Sequence, residues 1–138
     1  MIEKFNGIIY LIIFIVHFIV YAFYAYRCIF ATQSFLDQYA MHKTGAIMTR
    51  FFGSIFLGSV LMAVYIMFIK PEGIENTWGF FNLIFIQNLT AFLIGFYSIK
   101  ISKLGHTEKT SIEGVIAPGV LTLLSAILIY GLADKIYT

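Results

Sequence analysis

Charge is what this sequence has least of. Only 12% of its 138 residues are charged, against about a quarter in an ordinary soluble domain. The net charge of +2 carries no basic run, so a nucleic-acid partner, which needs clustered phosphate contacts, is excluded. A single cysteine, Cys28, makes no internal disulfide and forms no CxxC pair, which removes thiol-redox chemistry. Cys28 ends an apolar run and reads as filler, with acylation as the functional alternative. The seven acids all lie near the ends of apolar runs or between them. Paired carboxylates inside the apolar blocks, the usual coupling element of a transporter or general acid–base pair, are therefore missing.

What is abundant is apolar residue, 60% of the chain, gathered in blocks. A segment needs about 20 mainly apolar residues to cross a bilayer. Four stretches qualify, at 8–26, 46–69, 78–99 and 115–133. The expected fold is an all-α integral membrane bundle of four antiparallel helices, filling the chain as one domain. The first stretch is too long for a signal peptide and lacks a small-x-small cleavage site, so it reads as the first membrane helix.

Each segment carries its own departure from plain hydrocarbon. In the first, Tyr10, His17, Tyr21 and Tyr24 fall on one stripe at 100° per residue. Intramembrane ionisable groups face the bundle interior, so this stripe is the expected inward face. The linker that follows suits a short amphipathic helix at the interface, over 33–41. The second segment holds Arg50 and the densest set of small residues, among them Thr49, Gly53, Gly58 and Ala63. Small residues let helix backbones approach in lipid, which makes this segment the expected packing spine. The short turn KPEGIEN, 70–76, implies that the second and third segments are antiparallel neighbours. Trp78 sits at interface level. Asn82, Gln87, Asn88 and Thr90 lie inside the third segment, where an unpaired amide is costly, so they should meet other helices. The fourth segment places Pro118 in about its first turn, where a missing donor costs least.

Aligned by their centres, the segments put His17, Ser59, Gln87, Asn88, Thr122 and Ser125 at similar depth. Interhelical hydrogen bonding explains such a set. The functional reading is a ligand-binding or pore-lining group built on His17, Tyr21, Gln87 and Asn88. Haem is not expected, because only His17 lies deep enough to ligate. His17, His42 and His106 lack metal-site spacing. No cofactor and no metal are therefore expected. Arg50 is expected either to pair with Glu113 across the helix ends or to bind lipid headgroups, with Lys43, Lys103 and His106 nearby. Lysines and arginines number six on one side (Arg27, Lys43, Arg50, Lys100, Lys103, Lys109) and three on the other (Lys4, Lys70, Lys135). By that bias both termini lie outside the cytoplasm.

Tyr39–Met67, YAMHKTGAIMTRFFGSIFLGSVLMAVYIM, with Arg50, Gly53 and Gly58 in an R-x-x-G-x-x-x-x-G arrangement, resembles the second helix of small four-helix bacterial membrane proteins of the DoxX-like kind. The resemblance implies a four-helix bundle in the bacterial inner membrane. It also implies an accessory role, some such proteins being taken as subunits of membrane redox complexes, and no catalytic residues. The leading expectation is a non-catalytic membrane protein, either an accessory or assembly subunit of a larger partner or a homo-oligomer, embedded in lipid. The alternatives are a channel or carrier for a small or lipophilic solute, and an enzyme acting on a lipid or quinone.

Overall fold

A computed structural model describes residues 2–138, and all its regular structure is helical among those residues. After a 3₁₀ turn at Glu3–Phe5, α1 runs Ile8–Ile29 and the short α2 runs Thr32–Gln38. Helix α3 spans Ala46–Val64 and continues through a wider π turn, Tyr65–Ile69. Helix α4 spans Trp78–Phe96 and ends in a second π turn, Tyr97–Ser102; α5 spans Glu113–Gly131 and α6 is a short turn at Ala133–Ile136. The four long helices, with their terminal turns, are apolar and long enough to cross a membrane. The protein is an integral membrane bundle.

The helices pair as α1 with α3 and as α4 with α5, and α1 also packs on α5. Small residues set both close seams. A Cβ on Gly53 would lie 2.6 Å from Cβ of Cys28, and one on Gly95 would lie 2.7 Å from the Gly114 carbonyl oxygen. The expected packing spine on α3 is corrected: α3 meets one long helix, and α1 and α5 together hold the middle of the bundle. Of α3's small residues, Thr49, Gly53 and Ala63 are buried, whereas Gly58 has open space around it. One face of α3 suffices to meet α1, whereas α1 and α5 each touch two long neighbours.

The second correction concerns α3 and α4. Their connecting turn is short and partly buried, with Ile74 sealed inside. Yet the two helices do not pack along their length. A short turn holds two helix ends together but does not bring the axes together over their whole length. The bundle is thus a horseshoe in the order α3, α1, α5, α4, closed at one end and open at the other.

The closed end holds the core. Phe5, Phe14, Phe18 and Phe81 interlock there with Ile66, Ile74, Leu128, Leu132 and Ile136. Neighbouring rings meet at tilted angles, as with Phe14 on Phe18 at 4.7 Å. Termini and turn are tied at the same end. Lys4 donates to the Pro71 carbonyl at 2.7 Å, and Asn6 donates to Asp134 at 2.5 Å. Lys135 donates to the Glu3 carbonyl.

Candidate functional site

The open end contains a cavity of about 560 Å³ between α3 and α4. Its back wall is α1, with Tyr21 and Tyr24. Phe52, Ile55 and Phe56 of α3 form one flank. Gln87, Asn88, Thr90, Ala91 and Ile94 of α4 form the other, with Gly114, Ala117, Pro118 and Leu121 of α5 behind them. Helix α2 roofs the space with Phe35 and, just past its end, Tyr39. The expected interfacial helix is therefore a lid: Leu36 is fully buried, and the helix stops at Gln38, before Tyr39 and Met41. The room exists because α4 and α5 present small residues here where the other end presents phenylalanines and leucines. Pro118 contributes from the sixth residue of α5, deeper than expected, since α5 already starts at Glu113. Lacking an N–H, it cannot donate to the Gly114 carbonyl one turn earlier.

At the deep end of the cavity a buried network joins three helices. Tyr21 donates its hydroxyl to Oδ1 of Asn88 at 2.7 Å. Asn88 Nδ2 faces three acceptors: His17 Nε2 at 3.3 Å, the Leu121 carbonyl at 3.4 Å and Ser125 Oγ at 3.4 Å. The Leu121 carbonyl can only accept, which fixes the amide's orientation. Nε2 of His17 then accepts and its proton resides on Nδ1, an atom with no partner among the described residues. Such a buried donor costs about 1–3 kcal/mol. His17 is 0% exposed and does not line the cavity. It stands behind Asn88, tilted against Tyr21 with ring centroids 5.1 Å apart.

The residues expected at mid-depth thus divide. Tyr21, Gln87 and Asn88 line the cavity; His17 and Ser125 back it. Ser59 and Thr122 bond carbonyls of their own helices, Ile55 at 3.1 Å and Pro118 at 2.7 Å, and join nothing else. Thr90 does the same with Ile86 at 2.8 Å. The side-chain amide of Gln87 has no hydrogen-bond partner among the described residues.

At the mouth Glu113 is fully engaged. One oxygen accepts from the Tyr24 hydroxyl and lies 3.6 Å from the Arg27 guanidinium. The other accepts from the Gln38 amide, whose own oxygen accepts from Arg27. Ser111 Oγ accepts the Glu113 backbone N–H at 3.2 Å, giving a partner to one of the free N–H groups at the start of α5. The carboxylate also sits favourably at a helix N-terminus. Arg27 is further held between rings, 5.6 Å from Phe23 and 5.4 Å from Phe35.

This corrects the expected Arg50–Glu113 pair. Arg50 is exposed and donates from Nε to Thr32 Oγ1 at 3.2 Å. The reason is the neighbour order: Arg50 is on α3, and α1, not α3, packs on α5. Arg27 continues the α1 stripe one turn beyond Tyr24. That spacing was the available signal for Glu113's true partner.

Tyr39, beside Gly114, has its hydroxyl pushed up to about 12 by burial, with the Glu113 charge adding to the effect. It is a neutral hydrogen-bonding group at every ordinary pH. No group of three or more His, Cys, Asp or Glu able to hold a metal occurs among the described residues. No protein-family model matches the chain, and no curated protein or solved structure matches it either.

Proposed function

We propose that this integral membrane protein binds a lipophilic small molecule in the cleft between α3 and α4, taking it sideways from the bilayer as a lipid-binding protein or carrier. The observation that carries this reading is the cleft itself. Its walls are largely apolar and aromatic, its polar groups sit at its two ends, and the helices that flank it do not close on each other. About 560 Å³ lies within the usual range of small-molecule sites. The deep end abuts the packed aromatic core, so the arrangement supports a pocket and not a pore.

The accessory-subunit or homo-oligomer reading would fill the same gap with a partner helix. Of the small residues Thr49, Gly53, Gly58 and Ala63 on α3, Gly58 is the one that stands free and the others are spent inside the molecule. That leaves little small-residue surface for a second helix and favours a small occupant.

Native mass spectrometry of the protein gently extracted from its own membrane is the test. The expected result is a monomer retaining a small molecule, with Ala91→Trp, which fills the cleft from an exposed wall position, losing the ligand while keeping its melting temperature. Ala91→Trp retaining the same ligand would sink the reading, and a stoichiometric larger chain in place of a small molecule would restore the accessory role.

A further inference from the structure

The cleft's polar lining sorts into groups already satisfied and groups left free, and the sorting constrains the occupant. Tyr21 and Asn88 bond each other, Thr90 bonds its own helix, and Tyr24 bonds Glu113. Glu113 is the one charged residue on the lining, and Arg27, Tyr24 and Gln38 take both its oxygens. Two side chains remain with no hydrogen bond among the described residues: the Gln87 amide and the Tyr39 hydroxyl.

Their separation in depth follows from the helix geometry. Tyr39 lies against Gly114, with its hydroxyl oxygen 3.8 Å from where a Cβ on that glycine would be. Gly114 meets Gly95 on α4. From Gly95 to Gln87 is two turns and a little more, about 12 Å along the helix. Between these levels the wall is apolar and aromatic, with Phe52 and Phe56 on α3 and Ala117 on α5. A free charge on the occupant would find no counterion, and burying one unpaired is strongly unfavourable.

Resting on the cleft-binding reading above, we propose that the ligand is an uncharged lipophile with a hydrogen-bonding oxygen at each end of an apolar body, one end on Gln87 and the other on Tyr39. Gln87 both donates and accepts, and the Tyr39 hydroxyl does the same, so hydroxyl and carbonyl ends are equally served. Burial raises the Tyr39 hydroxyl to about 12, so it is neutral at ordinary pH, which suits it to a neutral partner.

The test is equilibrium binding of tritiated α,ω-alkanediols of graded length to the protein in lipid nanodiscs, against empty nanodiscs, 1-alkanols and α,ω-diacids. The expected result is an optimum near the diol whose oxygens span the two groups, about eight or nine carbons for about 12 Å. That diol should bind about tenfold tighter than the alkanol or diacid of equal length. Gln87→Leu and Tyr39→Phe should each erase most of the difference without loss of melting temperature. Affinity that rises steadily with chain length for diols and alkanols alike, yet disappears in Ala91→Trp, overturns the two-ended ligand and leaves the cleft-binding reading standing. Diacids binding as well as diols overturn it too. Binding that does not saturate above empty nanodiscs, or that survives Ala91→Trp, removes both.

Discussion

The two ends of this bundle are made from the same four helices and the same kinds of residue, yet one is solid and the other hollow. At the end holding the termini, α1 contributes Phe14 and Phe18, α4 contributes Phe81, and α5 contributes Leu128; every one is buried. At the other end α1 still contributes rings, Tyr21 and Tyr24, but α4 and α5 answer with Ala91, Gly95, Gly114 and Ala117. Large against large fills the space; large against small leaves it open on the α3 side. In lipid the difference has a second consequence. Burial from water drives little between helices in a bilayer, so packing and hydrogen bonds carry the stability. The solid end holds most of the packing. The hollow end holds most of the interhelical polar contacts, and these ring the space without crossing it.

That contrast is broken most directly by removing one ring from each end. Phe14→Ala opens a void among Phe5, Phe18 and Phe81 and should cost about 3 kcal/mol, at the low end of the range for such changes because lipid weakens the transfer part. Phe52→Ala on the cleft wall, where the ring is 48% exposed, should cost under about 1 kcal/mol. Reversible unfolding in mixed micelles measures both; equal losses would mean the hollow end is as tightly packed as the solid one. Gly95→Val comes next. Its side chain would strike the Gly114 carbonyl, a backbone atom that cannot swing away, and overpacking of this kind costs about 1–3 kcal/mol. The same change at Gly58, which faces open space, should be neutral in the same assay.

The polar ring at the hollow end gives a smaller effect. Glu113→Gln leaves Arg27 without its counterion in a half-enclosed site, at an expected cost of about 1–2 kcal/mol. Arg27→Gln should cost a similar amount, and the double variant should lose much less than the sum, because both act through one contact. Arg50→Ala should change stability by less than about 0.5 kcal/mol, because the side chain is exposed and its one hydrogen bond goes to Thr32, which also bonds its own helix. Strict additivity of the Arg27 and Glu113 losses, or a large Arg50 effect that is non-additive with Glu113→Gln, would reverse the assignment of Glu113's partner.

How much of this could be read from the residues depends on whether the controlling fact is local. Span number and length follow from the apolar runs, each about as long as a bilayer requires, so the four-helix membrane bundle was legible. So was the inward stripe of α1, because a histidine and tyrosines at helical spacing cannot all face lipid cheaply. Asn88 and Gln87 look alike in the sequence, as adjacent amides at one depth. Only the neighbour order tells that Asn88 turns to His17 and Ser125 while Gln87 is left in the cleft. The same order decides that Arg27 reaches Glu113 and Arg50 does not. A short turn suggested that α3 and α4 pack together; their separation, which makes the cleft, is a property of how α1 and α5 divide the helices into two pairs. No window of sequence contains that division.

The smallest expected effect is a pH dependence at the lid. Tyr39 has its pKa raised from an ordinary 10 to about 12, first by burial and then by the Glu113 charge. A group whose folded-state pKa exceeds its unfolded value holds its proton more tightly in the folded protein. Its contribution to stability is complete below pH 10 and is lost as pH rises through 12. The wild-type protein should therefore lose melting temperature between pH 10 and 12 more steeply than Tyr39→Phe, with no difference between them from pH 6 to 9. Tyr39 is only half enclosed, so the gap should be modest and should shrink further in Glu113→Gln, which removes the second cause. Identical alkaline profiles for wild type and Tyr39→Phe would show that the hydroxyl ionises as freely in the folded protein as in the unfolded chain. The lid would then stand open to water at the place where the cleft is capped, and the sideways route from the bilayer would no longer be the favoured way in.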